Sequence, residues 1–93
     1  MIRILDPTLR ATPPRMAARA PRPPRLSGAT LGLHANGKTH GMAFLERVAE
    51  HLRARHEVAE LVRVTKANAS APARPEDVAL LAACAAVVTA IGD

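Results

Sequence analysis

The spacing of apolar residues changes repeatedly along the chain, and each change marks the edge of an element. Ala29-Thr30-Leu31-Gly32-Leu33-His34 is a short apolar run of the kind that forms a strand. Asn36-Gly37 interrupts it with turn chemistry, Gly37 being suited to a positive φ. From His40 to about Arg55, Met42, Leu45, Val48, Ala49 and Leu52 recur at helical spacing, while Glu46, Arg47, Glu50, Arg53 and Arg55 take the other faces. Thr39 stands where it can cap that helix. Val58 to Val64 reads as a second strand, and residues 66–74 form a polar loop broken by Pro72. Pro75-Glu76-Asp77 opens a second helix, since proline is tolerated in a first turn and acids suit the dipole there. Val78, Leu81 and Ala82 give it an apolar face, and it ends near Cys84. Residues 85–91 are almost wholly apolar and predict a buried third strand.

The order β-α-β-α-β predicts an α/β fold with a three-stranded, parallel, open sheet and right-handed crossovers. It corresponds to half of a Rossmann-like or flavodoxin-like domain. In such sheets the first and third strands are neighbours and the second lies outside the first. The ligand crevice then opens between the loop after strand one and the loop after strand three. The residues expected to line it are His34, Asn36, Gly37, Lys38 and Thr39 on one side and Gly92 and Asp93 on the other.

Charge and composition divide the chain. The net charge is +5, and it belongs entirely to residues 1–28, where six arginines face Asp6 alone. Six of the eight prolines lie there too, between Pro7 and Pro24, forbidding a continuous helix and favouring extended backbone. Residues 1–28 are therefore expected to form a disordered Arg/Pro-rich arm, and residues 29–93 the α/β domain. Clustered arginines attract phosphates or an acidic partner. The absence of interleaved aromatic residues argues against nucleic acid as the target. Phe44 is the one aromatic residue, so Leu, Val and Ala must build the core. A domain this small buries only about 60% of its unfolded surface, and marginal stability is expected. A single cysteine rules out an internal disulfide, no zinc-ligand spacing is present, and no cofactor is identified. No apolar stretch approaches the roughly 20 residues of a membrane span. The start lacks the apolar core of a secretory signal, so a cytoplasmic location without membrane attachment is the expectation.

Gly32-Leu33-His34-Ala35-Asn36-Gly37-Lys38-Thr39 fits the phosphate-loop pattern G-x-x-x-x-G-K-[ST] letter for letter. Such a loop would set backbone amides and Lys38 on phosphates and Thr39 on Mg²⁺. Yet only Ala29-Thr30-Leu31 precede Gly32, which puts that glycine inside the strand, and the four intervening residues contain no glycine. A tight turn entering a helix is the plainer reading. Binding of another anion by the helix's first amides is a third. Among the histidines, His51 and His56 lie on the first helix facing water, whereas His34 and His40 flank the crevice loop. Cys84 is expected to pack where the second helix meets the third strand.

These residues resemble a known family. Leu31-Gly32-Leu33-His34-Ala35-Asn36-Gly37-Lys38, the helix after it and the Val-rich second strand with Lys66 beyond it are similar to the UGSC family. So, above all, is Ala86-Val87-Val88-Thr89-Ala90-Ile91-Gly92-Asp93. Ile4-Leu5-Asp6-Pro7-Thr8 resembles that family's opening segment. In the family a small residue, Gly and Asp end the third strand. Selenocysteine or cysteine then follows, with Gly, Ser and Cys after it, and this motif is thought to hold a redox centre. The resemblance implies that Asp93 occupies the position just before the first chalcogen residue. It implies no catalytic residue within the 93; Cys84 lies upstream and does not substitute.

Selenocysteine is encoded by UGA, normally a stop codon, so the sequence is expected to be the N-terminal part of a longer selenol/thiol redox protein. A split protein whose next subunit supplies the motif is the related expectation. The alternatives are a non-catalytic assembly module that completes a partner's sheet and a phosphate-binding protein using Gly37-Lys38-Thr39. The expected partner is accordingly another subunit, or the remainder of the chain, pairing with the sheet.

Overall fold

The computed structural model describes residues 2–5, 7 and 18–91. Strand β1 spans Thr30–Ala35, helix α1 Gly41–His56, strand β2 Glu60–Thr65, helix α2 Pro75–Ala82 and strand β3 Ala86–Ala90. The architecture is α/β: three parallel strands in an open sheet, ordered β2-β1-β3, with two helices. The first and third strands are thus neighbours. Register fixes which side chains share a face. Leu31, Leu33 and Ala35 stand beside Leu61, Arg63 and Thr65 on one side and beside Ala86, Val88 and Ala90 on the other. Period-two alternation puts all of these on one face of the sheet.

That face carries α1. Leu31, Leu33, Ala35, Leu45, Ala49, Val58 and Ala90 form the core, with Met42, Leu52, Leu61, Ala86 and Val88 packed against it. Arg63 lies on the same face, and both its side-chain ends reach the Glu46 carboxylate of α1. The Arg63 hydrogen bond holds the Glu46 carboxyl below its usual range. The opposite face carries α2. A Cβ on Gly32 would lie 2.9 Å from Leu81 Cδ2, 3.1 Å from Val87 Cγ2 and 3.2 Å from Cys84 Sγ. A residue without a side chain at Gly32 therefore lets α2 approach β1 closely.

Several boundaries differ from the sequence expectation. β1 extends one residue further, to Ala35, because its carbonyl accepts from the Lys66 amide and so keeps the ladder going. Val58 is buried but precedes β2, where the Ala59 and Glu60 amides both turn to the Ala29 carbonyl. Thr39 does not cap α1: the residue before the helix is His40, in the left-handed region at φ 68°, and no side chain caps it. Positions 36–40 are consumed by turns, so the helix starts two residues beyond Thr39.

The apolar face expected on α2 is also different. Val78 is 52% exposed and Ala82 is exposed, while Asp77 is buried beneath the Arg74 guanidinium. Leu81 is the part of the expected stripe that meets the sheet. Residues 18–25 carry no helix or strand, in keeping with their prolines, whereas Leu26 packs on the core and the Gly28 amide donates to the Glu57 carbonyl. The expectation for residues 8–17 lies outside the described residues. Among the described residues no helix is long and apolar enough to cross a membrane.

Candidate functional site

The carboxyl ends of the strands meet at Asn36. Its backbone amide donates to the Ala90 carbonyl at 2.9 Å, and its side-chain Nδ2 donates to the Ile91 carbonyl at 2.6 Å. Its Oδ1 accepts from the Lys38 amide at 3.2 Å, closing the local turn that asparagine favours. One residue thereby holds the exit of β3 against the end of β1. Gly37 braces the other side, with φ +92° and its Cα against the Lys66 carbonyl after β2. The dipeptide Asn36-Gly37 thus ties together the ends of all three strands.

Helix α1 begins directly beside this junction. Gly41 is buried, and a Cβ there would touch Ala35 Cβ at 3.7 Å, Ile91 Cγ1 at 3.8 Å and the Ala90 carbonyl oxygen at 3.9 Å. The positive end of α1 therefore lies against the exit of β3, and no acidic residue occupies its first turn. Along the outer side of β3 a shallow groove of about 340 Å³ is lined by Phe44, Thr89, Ala90 and Ile91. Phe44 is 57% exposed. It was not among the residues read from the sequence as site candidates. The available signal was its place off the Met42, Leu45, Ala49, Leu52 stripe, which leaves the single aromatic ring facing outward.

The expected site residues divide as follows. Asn36 and Gly37 meet the β2 and β3 ends as described. Lys38 is half-buried in the same turn, while Thr39 and His40 are exposed. His34 stands one residue before the end of β1, on the α2 face, in register with Val64 and Thr89. Its Nε2 is buried and has no hydrogen-bond partner among the described residues. Gly92 and Asp93 lie outside the described residues.

The phosphate-loop reading does not survive. Gly32 is buried inside β1 under Leu81, Val87 and Cys84, so the loop has no first glycine with which to wrap an anion. Lys38 and Thr39 also precede α1 rather than opening it.

A second cavity, of about 220 Å³, lies beyond β2 and is lined by residues that include Lys66, Arg74 and Asp77. Its charges are internally engaged. Lys66 Nζ donates to the Ala69 and Ala71 carbonyls, and Arg74 pairs with Asp77 and Glu76. Cys84 packs against Gly32 at the end of α2, as expected, and burial pushes its thiol pKa up. That is the reverse of an activated nucleophile. Among the described residues no group of three or more His, Cys, Asp or Glu side chains is placed to hold a metal ion.

In comparisons with known proteins, the sequence model of the UGSC family matches residues 3–93, the Arg/Pro-rich leading segment included. Neither the curated proteins nor the solved structures yield a match.

Proposed function

The chain belongs to the UGSC family, and from that premise we propose that it is the scaffold of a selenol/thiol redox site whose reactive residues follow β3. The supporting observation is the grip of Asn36 on the Ala90 and Ile91 carbonyls beside the start of α1. The family pattern places selenocysteine or cysteine shortly after this point. A chalcogenolate there would lie near the positive end of α1, which favours the anion. We read the sheet accordingly as the first half of a Rossmann-like or flavodoxin-like fold, whose ligands sit at the switch point between β1 and β3.

The chemistry would run in three steps. The ionised selenium or sulfur attacks a hydroperoxide oxygen, the O–O bond breaks, and the leaving alkoxide takes a proton. The selenenic or sulfenic acid so formed condenses with the motif's second cysteine, releasing water, and an external dithiol returns the two electrons. A cytoplasmic setting, where thiols are kept reduced, suits such a cycle.

The test is turnover. The chain extended after Asp93 by Cys-Gly-Ser-Cys, or by its selenocysteine form, is expected to reduce a hydroperoxide with a dithiol as electron donor. The 93-residue chain and a Ser-Gly-Ser-Ser extension are expected to show none. Equal turnover by the 93-residue chain, or none by a folded extended chain, contradicts the proposal.

A second reading draws on the outer side of β3. Ile91 is 37% exposed there, beside Phe44, and among the described residues β3 pairs with β1 alone. An unpaired apolar edge is a template for another strand. On this reading the chain is an assembly module. A stable complex with a separate subunit that supplies a fourth strand, without redox turnover, would favour it.

A further inference from the structure

The charges of the described fold are unevenly matched. Arg47 pairs with Glu50, Arg63 with Glu46, and Arg74 with Glu76 and Asp77. Among the described residues no carboxylate pairs with Arg19, Arg22, Arg25, Arg53 or Arg55, and all five are exposed. Two segments bring these arginines to one end of the domain. Arg53, Arg55 and His56 stand in the last turn of α1. Leu26 packs on the core and the Gly28 amide donates to the Glu57 carbonyl, so the segment carrying Arg19, Arg22 and Arg25 joins the domain beside that turn. Between the two segments lies an open groove of about 370 Å³, whose lining includes Arg25, Leu26, Ala54, Arg55, His56 and Glu57. Glu57 is the one acid among the described lining residues, and Ser27 donates to its carboxylate. Cations in the last turn offset the negative end of a helix dipole. That accounts for Arg53, Arg55 and His56, but not for Arg25, which a different segment adds to the same end. Like charges so gathered repel one another until an anion lies between them.

We infer that this groove docks an acidic segment of a partner protein. Guanidinium forks hold carboxylates in bidentate pairs. Leu26 and Ala54 add apolar surface for aliphatic side chains of the same segment. A nucleic acid fits less well, because no aromatic ring lines the groove to stack on bases and Glu57 faces the phosphates. The groove lies at the amino ends of β1 and β2, where Gly28 meets Glu57. The Asn36 junction lies at the carboxyl ends of the strands. Docking here leaves that end uncovered, and the inference does not depend on the redox function proposed above.

The test is binding of a fluorescein-labelled peptide of alternating Glu and Leu to the 93-residue chain, followed by fluorescence anisotropy. Binding is expected at low salt and is expected to weaken as salt rises. The same peptide with Gln in place of Glu should not bind. Arg25→Glu combined with Arg55→Glu is expected to weaken binding about tenfold or more, at about threefold for each exposed ion pair lost. Arg19→Glu combined with Arg22→Glu alters only residues outside every helix and strand, so it tests the charge without disturbing the fold. A loss of about threefold or more is expected there too. Arg47→Ala, about two turns back along α1 and more than a screening length away, should leave the affinity within about twofold. Absence of binding, equal binding of the Gln peptide, or unchanged affinity in either double variant overturns the inference. Tighter binding of duplex DNA, duplex RNA or phosphatidylserine vesicles than of the Glu peptide also overturns it, and assigns the groove to phosphates instead.

Discussion

Gly37 has φ +92°, and a Cβ at that position would lie 2.5 Å from the Lys66 carbonyl oxygen. Both the backbone conformation and the contact exclude a side chain. Gly37→Ala is therefore expected to cost about 1–3 kcal/mol, the range for a residue forced into a sparsely populated conformation. Asn36→Ala loses both side-chain hydrogen bonds, each worth about 1 kcal/mol, and frees the exit of β3. Urea unfolding of each variant measures the loss, and wild-type stability in either would show that the turn does not hold the strand ends together. The turn itself was legible from Asn-Gly, because the preference is local. Its tie to β3 was not, because the partners of Asn36 lie 54 and 55 residues away. The same limit hid the left-handed His40. Nothing in Lys38-Thr39-His40-Gly41 distinguishes a turn from a capped helix start until the sheet fixes where α1 must begin.

At the level of elements, the contact between α2 and β1 rests on a missing side chain. Gly32 admits Leu81 and Cys84 to within contact distance of the central strand. Gly32→Val adds two methyl-bearing branches where Val87, itself stiff at χ1, leaves no room. We expect a loss of about 1–3 kcal/mol from overpacking. Because α2 must lift, Cys84 should also become easier to alkylate. Unchanged Cys84 reactivity with unchanged stability would mean that α2 packs elsewhere. The helices and strands themselves were legible from apolar periodicity, α1 above all. The face of α2 was not. An eight-residue helix over the edge of a three-stranded sheet cannot bury a full stripe, so Val78 and Leu80 stay 52% and 53% exposed. Asp77 goes inward instead, because Arg74 supplies its counter-charge.

Over the whole molecule, strand order and parallel direction followed from the β-α-β-α-β sequence of elements, since right-handed crossovers leave few arrangements. The family was legible because its distinctive residues cluster at the ends of β1 and β3, the two ends that Asn36 joins in space. The groove beside Phe44 and the orphaned nitrogen of His34 were not legible. Both depend on which side of a strand or helix the rest of the chain leaves uncovered. Phe44, Leu80, Val87 and Ile91 are large apolar side chains left exposed.

The proposed redox function requires a chalcogen residue after β3 in the native protein. The direct measurement is mass spectrometry of the tryptic peptide that begins at Ala67, because Arg74 is followed by Pro75 and resists cleavage. The expected peptide runs through Ile91-Gly92-Asp93 into selenocysteine or cysteine, then Gly-Ser-Cys. A native peptide whose last residue is Asp93, or one that continues with any other residue, contradicts it.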